Sequence, residues 1–217
     1  MRHVLCYGDS NTWGFIPQNG ARYTEDVRWT GRLQQLLGEG WRIHEAGLNA
    51  RTTIYEDPFK PFLNGRTLFP GVLVSEKPLD VLILSLGTND LKYTDAWHAA
   101  QGVGQLIDYA RAFDTLYPSA LPVFPRQMKI LVVSPILVGK ELAQRPGYST
   151  LKYAHEESCR FAAEFRAMCE SKGVEMVDAA ALAQPSPVDC IHMEPEGHAA
   201  LAQELAARLL AWAEQEG

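Results

Sequence analysis

Arg2–Phe15 reads RHVLCYGDSNTWGF, an apolar run over Val4–Tyr7 that stops abruptly at Gly8-Asp9-Ser10-Asn11. Gly, Asp, Ser and Asn are ordinary turn formers. The stretch therefore has two readings: a strand-ending turn, or a turn that presents Ser10 as a nucleophile at the tip of a strand. Similar runs recur at Trp41–Glu45, Val81–Leu86, Ile130–Ser134 and Val174–Val177. Several are nearly continuous rather than alternating, which predicts strands buried on both faces of a parallel sheet. Helical patterns lie between them, at about Trp29–Leu37, Asp95–Leu116, Thr150–Ser171 and Glu196–Glu214. Strand and helix alternate from end to end, the pattern of a doubly wound α/β domain.

A chain of 217 residues, 47% of them apolar, is long enough for a sizeable core and is expected to form a single domain over 1–217. Two irregular stretches, Tyr55–Pro70 and Pro118–Gln127, fall inside the alternation and are expected to be loops, the first packed by its own aromatic side chains. The net charge of −6 disfavours a nucleic-acid-binding face, which needs an excess of Lys and Arg. The four cysteines, Cys6, Cys159, Cys169 and Cys190, are dispersed without a CxxC pair, against a thiolate zinc site or a disulfide framework. No apolar run is long enough to cross a bilayer, and no signal-peptide pattern precedes Val4. A cytoplasmic protein with reduced cysteines is expected.

In open parallel sheets, ligands bind beyond the carboxyl ends of the strands. The segments there read GDSN, GLNART, GTND and SPIL, with DCIH in a loop beyond the fifth strand. A serine hydroxyl needs a base to become a nucleophile. Of the six histidines, His3 and His44 fall within strands, His98 and His155 read as solvated helix faces, and His198 sits in the first turn of the last helix. His192 lies in a loop three residues after Asp189. At that spacing in a turn, a carboxylate can fold back on Nδ1–H and leave Nε2 for Ser10. The other reading is a locally bonded Asx turn. Acyl transfer also needs donors for the oxyanion, and the Ser10 and Gly47 N–H groups and the Asn89 amide stand at the same sheet edge.

GDSN at Gly8–Asn11, Gly47, GTND at Gly87–Asp90 and DCIH at Asp189–His192 resemble, in order, the four blocks of the SGNH (GDSL-like) hydrolases. The first block departs at Asn11, where the name-giving motif has Leu. Longer stretches such as DVRWTGRL, GLNARTT and LNGRTLFP resemble the bacterial arylesterase and acyltransferase (perhydrolase) branch. The resemblance implies a three-layer α/β/α sandwich with a flavodoxin-like parallel sheet of about five strands. It also implies a serine esterase acting on small esters, with Ser10 as nucleophile, His192 as base, Asp189 as its partner, and the Ser10 N–H, Gly47 N–H and Asn89 amide as oxyanion donors. Asp9 and Asp90 would brace the turns, and Arg51 would sit in a buried ion pair. That branch also implies acyl transfer to alcohols or peroxide and a homo-oligomer, up to an octamer.

No cofactor or metal is expected. The HMEPEGH stretch (192–198) lacks HExxH spacing, and its Pro195-Glu196 suits a helix start. Cys190 is expected to be a packed thiol, and no phosphate-cradling glycine motif is present. Trp13, Phe15, Ile136 and Met193 are candidates for the substrate pocket, with core packing the alternative for each. Two other functions stay open: a carbohydrate O-acetylesterase, and a non-catalytic flavodoxin-like binding module.

Overall fold

In a computed structural model, which describes residues 1–145 and 149–215, five parallel strands form one sheet in the order β2-β1-β3-β4-β5. They are β1 Arg2–Gly8, β2 Trp41–Gly47, β3 Val81–Ser85, β4 Lys129–Ser134 and β5 Glu175–Asp178. Each observed strand overlaps the expected one, with ends that differ by at most two residues.

The continuous apolar runs are explained by the two faces they serve. Val4 and Cys6 of β1, Ile83 of β3, and Leu131 and Val133 of β4 pack under α2 (Trp29–Leu37) and α7 (Pro195–Gln215). Their neighbours Leu5, Tyr7, Leu82, Leu84 and Val132 face the opposite way, under α3 (Gly65–Glu76), α4 (Ala96–Leu116) and α6 (Phe161–Lys172). Because successive strand side chains point to opposite faces, the central strands β1, β3 and β4 are apolar at consecutive positions. The result is the expected three-layer sandwich.

Two expectations are corrected. The stretch read as a loop over Tyr55–Pro70 contains a 3-10 turn at Pro61–Leu63 and then α3, with Pro70 inside the helix. The Asn64 side chain caps α3 by accepting from the Thr67 N–H at 3.3 Å, and Phe69 and Leu73 bury its inner face. Burial of that face against the sheet outweighs the cost of a mid-helix proline. The single helix expected over Thr150–Ser171 is instead a 3-10 turn (Ser149–Leu151), a short α5 (Ala154–Ser158) and α6. His155, read as solvated, is half-buried there and hydrogen-bonds through Nδ1 to the Val138 carbonyl at 2.7 Å.

From β1 the chain moves outward to β2 and then crosses back past β1 to β3, so the strand order reverses and a crevice opens between the carboxyl ends of β1 and β3. Ser10 follows the first and Asn89 the third.

Candidate active site

The turn after β1 is built by close approach. A Cβ on Gly8 would stand 2.0 Å from Thr12 Oγ1 and 2.7 Å from the Ser85 carbonyl oxygen, so only glycine fits. Asp9 caps the short helix α1 (Ser10–Trp13), its Oδ1 accepting from the Asn11 N–H at 3.0 Å. Ser10 is thereby held at the sheet edge, 6% exposed.

His192 Nε2 lies 2.8 Å from Ser10 Oγ, and His192 Nδ1 lies 2.5 Å from Asp189 Oδ2. The other Asp189 oxygen accepts from the Ile191 and His192 N–H groups at 2.9 and 3.0 Å. Burial pulls the Asp189 carboxyl upward, but these bonds from His192 and Ile191 more than offset it and hold the group below the usual carboxylate range. The arrangement fixes the proton on Nδ1, leaves Nε2 to accept from the serine, and can stabilise an imidazolium. Phe15 stacks on the imidazole, ring centroids 4.2 Å apart.

Asn11, the departure from the name-giving motif, reaches into the histidine loop. Its Oδ1 accepts from the Met193 N–H at 2.9 Å and its Nδ2 donates to the Ile191 carbonyl at 3.5 Å. One side chain thus grips the backbone on both sides of His192. Glu194 anchors the same loop, accepting from Ser186 Oγ at 2.5 Å and Gln18 Nε2 at 2.9 Å.

A cavity of about 280 Å³ opens over these groups. Ser10, Asn89 and His192 are on its wall, with Phe15, Leu151 and Ile191 supplying apolar surface and Asn49, Ala50, Thr88 and Lys92 more polar or backbone surface. Of the four expected pocket residues only Phe15 is there. Ile136 and Met193 are core residues, 3% and 2% exposed, and Trp13 carries the Arg22 guanidinium on its ring at 5.5 Å. Phe59 and Phe62 are exposed on the surface away from this wall.

Gly47 pairs with Gly8, and its missing Cβ admits the backbone of Trp13, which a Cβ would meet at 2.2 Å. The residues of that segment on the cavity wall are Asn49 and Ala50, the latter in the left-handed region at φ 66°. A left-handed alanine is strained, and no sequence motif announces it. Asn89 Oδ1 accepts from Lys92 Nζ at 2.8 Å, within the 3-10 turn Thr88–Lys92.

Beneath the site are charges without close counter-charges. Burial raises Asp9 to about 6 despite the Asn11 N–H and nearby cations. Asp90 is raised to about 7 by burial, only partly offset by Thr53, whose N–H and Oγ1 bond it at 3.1 and 2.5 Å. Arg51 does not sit in the expected ion pair: its guanidinium donates to the Gly8 carbonyl at 2.8 Å and to the Ala46 carbonyl, and lies 4.0 Å from the centre of the Tyr7 ring. It ties the ends of β1 and β2 together. Among the described residues, no cluster of three or more His, Cys, Asp or Glu side chains is arranged around a metal position.

The model of the GDSL-like Lipase/Acylhydrolase family matches residues 6–200. An aryl esterase of M. smegmatis is 32% identical over 97% of this chain and 99% of that one, with a TM-score of 0.87. A carbohydrate acetylesterase from Sinorhizobium meliloti is 32% identical over 98% of this chain and all (100%) of that one, with a TM-score of 0.88. An acetylxylan esterase from Xylanibacter ruminicola is 35% identical over 89 residues, 41% of this chain but only 17% of that relative's length.

Proposed function

Because the chain belongs to the GDSL-like Lipase/Acylhydrolase family, we propose that it cleaves small carboxylic esters, with Ser10 as nucleophile, His192 as general base and then acid, and Asp189 as its orienting partner. The observation that carries this is the unbroken line from Asp189 through the imidazole to Ser10 Oγ, with contacts of 2.5 and 2.8 Å. Ser10 Oγ attacks the carbonyl carbon while Nε2 takes its proton. The oxyanion is received by the Asn89 NH2 and the Ser10 N–H, with Gly47 or the wall residue Ala50 supplying a further N–H. The intermediate collapses, His192 protonates the departing alcohol, and water then attacks the acyl-enzyme by the reverse path. A cavity of about 280 Å³ with Phe15, Leu151 and Ile191 on its wall suits short acyl groups. Labelling by a fluorophosphonate, abolished in Ser10→Ala, is the expected result. A folded protein that does not label overturns the reading.

A sugar O-acetyl ester is the second substrate reading. The polar wall residues Asn49, Thr88 and Thr150 favour a hydroxylated leaving group. Rates on p-nitrophenyl esters of increasing chain length, set against acetylated sugars, separate the two. In the same proposal, the acyl-enzyme passes its acyl group to an alcohol or peroxide, measured as product partition above the acceptor-to-water ratio. Exposed Phe59 and Phe62, at 90% and 55%, support a homo-oligomer, which light scattering tests.

A further inference from the structure

Asn89 is useful to an oxyanion in one orientation only. Its NH2 donates to a developing negative charge, whereas its carbonyl oxygen would repel it. Nothing in the shape of an amide distinguishes the two ends, so something outside it must choose. We infer that Lys92 makes that choice, as a positioning residue that holds Asn89 Oδ1 away from the reacting atoms and so turns the NH2 toward them. The inference rests on the esterase reading above and deepens it.

An ammonium carries only donors, so at 2.8 Å from Lys92 Nζ the Asn89 atom must be the oxygen. The 3-10 turn Thr88–Lys92 sets this contact locally, because residues three apart stack in that helix. No acceptor among the described residues lies against the Asn89 NH2, and Asn89, Lys92 and Ser10 share the wall of one cavity. Lys92 has no carboxylate within ion-pair distance among the described residues. Asp9, Asp57 and Asp90 act on it only from further off, and its largest perturbation is burial. A half-buried cation bonded to a neutral amide rather than to a carboxylate is a poor device for stability. It does strengthen the amide as a donor, since a hydrogen bond accepted by the oxygen polarises the N–H groups at the other end.

The test is steady-state kinetics on a p-nitrophenyl acetate series with Lys92→Met, Lys92→Arg, Asn89→Ala and the double variant Lys92→Met/Asn89→Ala. Lys92→Met is expected to lower kcat about tenfold, a part of the effect of losing the donor itself, with KM changed less than about twofold. Lys92→Arg, which keeps a cationic donor, is expected to recover most of kcat and also serves if the methionine variant folds poorly. In the Asn89→Ala background, Lys92→Met is expected to change kcat by less than about twofold, because its route to the reaction is gone. An unchanged kcat in Lys92→Met overturns the inference. So does an undiminished effect in the Asn89→Ala background, which assigns Lys92 to the substrate directly. Failure of the esterase reading is separate: it shows as wild-type protein that neither turns over esters nor labels with a fluorophosphonate.

Discussion

Two groups of polar side chains in this sheet meet opposite conditions. At the carboxyl edge, Asp9, Asp90, Arg51 and Lys92 are buried or half-buried and bond to backbone groups, hydroxyls and an amide rather than to opposite charges. Lower on the face under α3, His3 and His44 stack at 5.2 Å, and His44 Nδ1 meets Glu76 Oε2 at 2.6 Å, with the Glu76 side chain 38% exposed. The second group is an ordinary paired cluster near solvent. The first carries a desolvation cost that no close counter-charge offsets. The difference places the strain of the molecule beneath Ser10, where charge must be received during reaction.

That contrast can be broken by substitution. Asn89→Ala is expected to have the largest effect, a loss of about a hundredfold or more in kcat; an unchanged rate makes Asn89 only a turn residue. Asn11→Leu, which restores the name-giving motif, removes the grip on Ile191 and Met193. A loss of about tenfold in kcat/KM is expected from a displaced imidazole, measured with thermal unfolding alongside, and wild-type kinetics in a folded variant refute it.

Stability against pH sharpens the contrast next. Asp90 has its folded value raised to about 7 from an ordinary 3.8. Between those values the folded state binds more protons than the unfolded one, so this group's contribution declines as pH rises from about 4 to about 7. Asp9, raised to about 6, acts in the same direction. His198 opposes them: burial lowers it to about 3, so its contribution falls as pH drops below 6.5. Since His198 is common to both proteins, Asp90→Asn isolates the carboxylate. Relative to wild type, the variant is expected to gain on the order of 2 kcal/mol between pH 5 and pH 8, read from unfolding curves at each pH. A constant difference would show that Asp90 does not titrate there. The smallest effect belongs to the other group: His44→Gln is expected to cost about 1 kcal/mol or less and to leave kcat unchanged. A large kinetic loss would erase the distinction between the two regions.

Much of this was legible in the sequence because it is written in local pattern. The five strands, the turn at Gly8–Asn11 and the Asp189-to-His192 spacing each depend on a few neighbouring residues. Helix α3 was not, because Asn64-Gly65 and Pro70 carry turn signals and the burial of Phe69 and Leu73 that overrides them is a long-range fact. The cavity wall was missed for a related reason. Ala50 is placed by a left-handed backbone that alanine does not advertise, and Leu151 arrives from a segment where the expected helix is broken. Lys92 had a usable signal, three residues after Asn89, but only once the segment is known to be a 3-10 turn.

By itself, then, the sequence determined a parallel sheet buried on both faces and the kinds of side chain delivered to its carboxyl edge, because periodicity and turn chemistry are properties of short windows. Tertiary structure alone decided which of those side chains meet. Asn11 and Ile191 are 180 residues apart, as Ser10 and His192 are 182 apart, and only the packing of α7 and its preceding loop against β1 brings them within a hydrogen bond. It also decided which charges are stripped of water, since desolvation depends on everything that surrounds a group and on nothing written beside it in the chain.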